Sequence, residues 1–279
     1  MSKSAARNKI ASLDDVVEDA KQPLYAAPAL EKGLDILELL SAEDRGLSRK
    51  DIADRLGRSV GEIFRMIECL TRRSYLVQTE DSFQLSMKLF ELSHAFPPLN
   101  RLVSEALPRM RALAQATQQS CHMTVLSGAE QLVIAQIDAP EGMGFSIKVG
   151  AKLPVLKSAS GRVLTAFQGN REIEEILALV GPDMTEQERG VFIKTLQKVR
   201  KDGYAFMKSN QFAGLQAMSY PIMDLGGHAM AALTVPYVAR LDDESRPTTD
   251  AAKASLEEVA AKLNEIMGGY SAKSAKLIR

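Results

Sequence analysis

Cysteine is scarce. Cys69 and Cys121 are the only two in 279 residues, too few for a disulfide framework and without metal-ligand spacing. Histidine is as sparse: His94, His122 and His228 lie far apart, and no H-E-x-x-H or C-x-x-C pattern occurs, so neither a metal site nor a cofactor is expected. Net charge is absent too. The 35 Lys and Arg balance the 35 Asp and Glu, so no global field draws the chain to nucleic acid or to an anionic membrane, and any such binding needs a local patch. No stretch approaches the ~18 consecutive apolar residues of a membrane span. The opening MSKSAARNKIASLDDVVEDAKQ has no apolar core and carries Asp14, Asp15, Glu18 and Asp19, unlike a signal peptide. A cytoplasmic protein with no membrane partner is expected. Against these absences stands an ordinary globular composition, 46% hydrophobic and 25% charged, over a length that fits two domains at about 150 residues each.

Residues 1–22 lack periodicity and read as a mobile tail. From Pro28 onwards Leu30, Leu34, Ile36, Leu37 and Leu40 recur at helical spacings. Ser48, with Asp51 three residues on, reads as the capping box of a second helix that buries Ile52, Ala53 and Leu56 and stops at Gly57. A third helix runs from Ser59 to about Arg73 with Ile63, Met66, Ile67 and Leu70 on one face, and residues 75–85 read as strand, polar turn, strand. Three helices, a tight glycine turn and a hairpin describe a winged helix-turn-helix. Between Arg45 and Arg73 eight basic residues face four acids, a local surplus of four. A solvated helical face could carry such charges, but their place around the third helix of this motif points to DNA.

Residues 86–95 look helical, and a long helix is expected from about Leu99 to Gln118, with Pro108 near its first turns or kinking it. Strands are expected at Cys121–Ser127, Gln131–Asp138, Phe145–Val149, Tyr204–Met207, Leu215–Met223 and Ala229–Val235, with helices at Ser160–Gln168, Arg171–Leu179, Thr185–Lys201 and Thr249–Met267. Strands in runs with segregated helices indicate an α+β domain built on an antiparallel sheet. The expected layout is a winged helix-turn-helix at 23–88, linker helices at 89–119, the α+β domain at 120–270 and a loose tail at 271–279. Cys121 and His122 look like a nucleophile beside a base, but strand neighbours point to opposite faces. Ser160 lies in A-S-G rather than G-x-S-x-G. An enzyme is not expected.

Several segments, in order, resemble the IclR (isocitrate-lyase-regulator) family of bacterial transcription factors: ALEKGLDILELL, LSRKDIADRLG, RRSYL, and VGAKLPVLKSASGRVLTAF with Gly150, Pro154, Ala159, Gly161 and Ala166. DGYA at 202–205, Gly214, Pro221 and the AALTV strand at 231–235 also match. The resemblance covers about Ala29 to Met267. It implies a winged-helix N-domain, a linking helix and a GAF-like antiparallel-sheet C-domain that binds a small effector, with homodimers through the N-domains, often homotetramers through the C-domains, and repression more often than activation. The third helix departs from the family, which has Ser-Thr where this chain has Gly61-Glu62, while Arg65 matches.

For DNA, Arg58, Ser59 and Arg65 are expected on or beside the groove-facing side of the third helix, since the Arg fork can grip a guanine. Ser59 also suits an N-cap, and Arg49 and Lys50 suit backbone phosphates. Arg72 and Arg73 suit either DNA or the helix C-terminus. Gly61 either admits a close backbone approach to the duplex or is a tolerated small residue. For the effector, the family's pocket carried over by position implies Leu153, Ala159, Ser160, Met207, Leu215, Ala217, Thr234 and Pro236, with Phe145, Met143 and Met218 as further lining; core packing alone is the alternative for each. Relatives that bind small oxo-acids have an acid at Met207, a Cys at Ala217 and a Ser at Pro236, and a His common in the family is replaced by Leu156. Each swap removes a polar group. The ligand implied is apolar or aromatic, with a carboxylate at the N-terminus of the helix opening near Ser160.

Overall fold

The computed structural model describes residues 27–95, 97–128, 130–141, 144–209, 212–239 and 246–268. The two expected tails and Met143 lie outside them. The chain divides after Ala95 into two compact units. Residues 89–119, expected to link the domains, divide at this boundary.

The N-terminal unit runs α1 (Pro28–Ser41), β1 (Leu47–Ser48), α2 (Arg49–Arg55), α3 (Val60–Arg72), β2 (Leu76–Thr79), β3 (Ser82–Leu85) and α4 (Lys88–His94), with an antiparallel sheet in the order β1-β3-β2. Ser48 caps α2, its hydroxyl accepting from the Asp51 amide at 3.2 Å while the Asp51 carboxylate accepts from the Ser48 amide. Gly57, at φ +61°, makes the turn into α3 that a side chain would strain. Ile36, Leu40, Ile52, Ile63, Ile67, Leu76 and Phe83 form the core. Each such side chain contributes about 1.5–3 kcal/mol by leaving water. The helix read from the leucine spacing forms as α1, with Ile36 and Leu40 buried and Leu30 and Leu34 63% and 47% exposed. Only the second half of the helix contributes buried side chains.

The C-terminal unit contains α5 (Pro97–Thr117), β4 (Cys121–Ser127), β5 (Glu130–Ile137), β6 (Lys152–Pro154), α6 (Ala159–Ala166), α7 (Asn170–Val180), α8 (Glu186–Asp202), β7 (Ala205–Lys208), β8 (Leu215–Met223), β9 (Ala229–Val238) and α9 (Thr249–Met267). Pro108 sits inside α5 without ending it. The sheet has six antiparallel strands in the order β6-β5-β4-β9-β8-β7. Two layers of helix cover it. Leu102, Ala106, Met110 and Leu113 of α5 and Ala252, Leu256, Ala260 and Leu263 of α9 pack on one face with Cys121, Met123, Leu233 and Val235. On the other face α6 lies against β4, β7, β8 and β9, and α7 and α8 pack on α6. The strand expected at Phe145–Val149 does not form. Instead β5 takes 152–154 as its edge partner, and Gly150 at φ +85° turns the preceding chain off that edge.

Candidate functional site

On α3 the residues outside the buried Ile63/Ile67 stripe fall on one face: Gly61, Phe64, Arg65, Glu68 and Arg72, all exposed. Gly61 has open space where a Cβ would stand. Arg65 is exposed and has no ion-pair partner among the described residues, as is Lys50 on α2. The other expected DNA contacts are engaged internally. Arg58 reaches back to Asp35 of α1 at 2.8 Å, and Arg49 pairs with Glu68 at 2.9 Å while its guanidinium lies 5.1 Å from the Phe64 ring centre and 5.2 Å from that of Phe83. Ser59 precedes α3 and donates its amide and hydroxyl to Glu62, each at 2.9 Å. Those bonds, with Lys32 at 3.2 Å, pull the Glu62 carboxyl down to about 2. A carboxylate thus already occupies the end of α3 where a phosphate contact was expected.

The charge surplus resolves in the same way. Of the eight basic residues, Arg49, Arg55 and Arg58 are ion-paired, whereas Arg45, Lys50, Arg65, Arg72 and Arg73 are exposed and lack an ion pair among the described residues. Phe64, 43% exposed beside Arg65, was not anticipated. Its signal was an aromatic one position off the apolar stripe of the helix.

In the C-terminal unit, strand register sorts the expected effector residues. Antiparallel partners share a face, so Met207 on β7, Ala217 on β8 and Pro236 on β9 form one lateral row. The adjacent row on that face contains Ser219, Thr234 and His122. The Ser219 and Thr234 hydroxyls lie 2.9 Å apart. Leu153 lies on edge strand β6 opposite Gln131. Leu215 is buried on β8. Met218 is a correction: strand alternation turns it to the α5/α9 face, where it is fully buried.

Ala159 and Ser160 begin α6 and are buried. The N-cap is Ser158, two residues before the expected opener. Its hydroxyl accepts from the Gly161 amide at 3.1 Å and from Gln131 Nε2 at 2.7 Å, and donates to the Pro154 carbonyl at 2.9 Å. The first-turn amides of Ala159 and Ser160 have no intrahelical partner. Gly161 is required, because a Cβ there would stand 2.0 Å from the Val155 carbonyl oxygen. Phe145 meets Phe212 edge to face at 4.9 Å, and its carbonyl accepts from the Ser120 hydroxyl.

Cys121 and His122 do point apart. Cys121 packs on the α5 side, its sulfur 3.4 Å from the Met110 carbonyl, and burial pushes the thiol up to about 12. His122 faces α6. Among the described residues no group of three His, Cys, Asp or Glu is placed to hold a metal ion, and no helix is long and apolar enough to cross a membrane.

Residues 29–80 match the IclR helix-turn-helix domain, and residues 99–265 match the bacterial transcriptional regulator IclR C-terminal domain. The chain is 26% identical over 254 residues to the HTH-type transcriptional regulator KdgR of Escherichia coli (strain K12), covering 89% of this chain and 95% of that protein. It is 24% identical over 215 residues to the HTH-type transcriptional repressor AllR of the same strain, covering 75% and 79%. Among solved structures, an IclR homologue from Microbacterium hydrocarbonoxydans complexed with 4-hydroxybenzoate superposes with a TM-score of 0.69 at 22% identity, over 86% of this chain and 99% of that one, and so shares the fold. With a helix-turn-helix domain, an effector-type C-terminal domain and both family matches in order, this chain belongs to the IclR family of DNA-binding transcriptional regulators, which are not enzymes.

Proposed function

We propose that this regulator is a cytoplasmic repressor whose α3 reads a pseudo-palindromic operator and whose α6 face senses an apolar or aromatic carboxylic acid. It acts as a homodimer and assembles into homotetramers. A dimer presents two copies of α3 to successive major grooves. Arg65 is the base-reading candidate, since its guanidinium is exposed and uncommitted, and Phe64 beside it suits a thymine methyl group. Lys50, Arg45, Arg72 and Arg73 suit phosphates. Arg49, Arg58 and Ser59 order the reading head; whatever they add at the DNA comes from donors left over after their internal bonds.

The observation that carries the ligand reading is the row Met207–Ala217–Pro236, which has no ionisable group. It lies beside two hydroxyls and on the face covered by α6, whose first-turn amides suit a carboxylate. The solved relative holding an aromatic acid is consistent with that chemistry. A thermal-shift screen of aromatic and aliphatic carboxylic acids tests it. A ligand present at 100 times its Kd should stabilise by ~2.7 kcal/mol, and Ala217→Phe, which fills the row, should remove the shift. A screen in which only sugars or bases shift the melting temperature contradicts the reading. A screen with no shift favours a C-domain that serves assembly alone.

A further inference from the structure

We propose that His122, with Thr234 and Ser219, forms a hydroxyl-reading element of the α6 face, so that the effector is a hydroxylated acid. This rests on the reading of that face as the effector site and names the second polar group that its ligand carries.

Three observations support it. His122 pairs with Thr234, and Thr234 with Ser219, across adjacent strands, so the three side chains stand in one row on the ligand face. His122 is 3% exposed, and its Nδ1 is buried without a hydrogen-bond partner. In the Ser219–Thr234 bond one hydroxyl donates and the other accepts, so the acceptor keeps a hydrogen that no described residue takes. Buried polar groups in folded proteins are paired as a rule, and an exception of this kind calls for a partner.

The chemistry of that partner follows from the ring. Desolvation holds the imidazole neutral, with its pKa drawn down to about 4. A neutral imidazole offers one N–H and one bare nitrogen. A carboxylate could accept from the ring N–H but would bring a charge with no counter-ion into this buried row, and an apolar group leaves the nitrogen unpaired. A hydroxyl both donates and accepts, so it satisfies either tautomer of His122 and also takes the remaining hydrogen of the Ser219–Thr234 pair. The carboxylate of the same ligand then goes to the α6 end and its hydrocarbon to the Met207–Ala217–Pro236 row.

The test is isothermal titration of the full chain with matched pairs: benzoate against 3- and 4-hydroxybenzoate, and phenylacetate against its 3- and 4-hydroxy forms. Wild type is compared with His122→Phe, which removes both nitrogens, and with His122→Asn, whose amide keeps a donor and an acceptor near the Nδ1 position. A hydroxylated member is expected to bind at least about tenfold more tightly than its parent. That preference should vanish in His122→Phe, return largely in His122→Asn, and weaken in Ser219→Ala. Should the Phe variant fail to fold, the Asn and Ser219→Ala proteins carry the comparison. Equal affinity for both members of every pair, or a preference that His122→Phe leaves unchanged, overturns this inference alone. If no member of any pair binds wild type, the aromatic-acid reading itself fails and the inference goes with it.

Discussion

Arg65 and Lys50 are both exposed and without an ion pair among the described residues, yet a duplex would respond to them differently. A planar guanidinium on the outward face of α3 can grip a guanine, whereas an ammonium at the start of α2 meets phosphate as a point charge. Arg65→Ala should therefore cost ~1–3 kcal/mol on the operator and relax preference at one position. Lys50→Ala should weaken specific and random DNA about equally and lower the salt dependence of binding by about one counterion. Gel shifts over a salt series separate the two outcomes. His122 provides a test at the same scale that needs no DNA. Its folded pKa of about 4 lies below the ordinary histidine value of 6.5, so between those values the unfolded chain binds a proton that the folded chain does not. Stability should rise with pH across that window by roughly 3 kcal/mol in total. His122→Phe should remove that part of the slope in urea melts taken from pH 4 to 7, and an unchanged slope contradicts the burial.

At the scale of the element, local chemistry explains what was legible in the sequence. The Ser48/Asp51 capping box, the Gly57 turn and the Ile63/Ile67 stripe depend on spacings of three or four residues, and α2 and α3 formed where those spacings put them. The strands at Cys121–Ser127 and Leu215–Met223 were equally visible, because alternation marks them end to end. What escaped depends on partners distant in sequence. FSIKV at 145–149 alternates like a strand, but pairing is decided by which segment reaches the β5 edge, and residues 152–154 do. Ser158 rather than Ser160 caps α6 because Gln131, on a strand far upstream, braces its hydroxyl at 2.7 Å. Arg49 reads as a phosphate ligand and Arg58 as a groove-side contact, yet each has an acid opposite it in the fold, Glu68 and Asp35. Only the register shows that Met207, Ala217 and Pro236 share one row and His122, Thr234 and Ser219 the next. Gly161 yields a prediction here. With a Val155 carbonyl oxygen 2.0 Å from where its Cβ would stand, Gly161→Ala must displace the β6–α6 turn. A loss of about 1–3 kcal/mol is expected, seen as a fall of roughly 2–4 °C in Tm per kcal/mol, together with loss of effector binding. A variant as stable as wild type contradicts the tight turn.

At the scale of the whole molecule, the claim is that one chain couples two recognition surfaces. On the proposed function, the effector would favour one state of the C-terminal domain, and α5, which directly follows the N-terminal unit in the chain and buries Leu102, Ala106 and Met110 in the C-terminal core, is the element we propose to transmit that bias. Coupling of this kind amounts to ~1–3 kcal/mol, about 5–150-fold in affinity, and equilibrium thermodynamics requires it to act equally in both directions. The most direct test is to measure operator affinity with and without a saturating aromatic acid identified by thermal shift, and then the affinity for that acid with and without saturating operator. The same factor is expected in both measurements, with each ligand weakening the other. An acid that binds with identical affinity to free and operator-bound protein would contradict it.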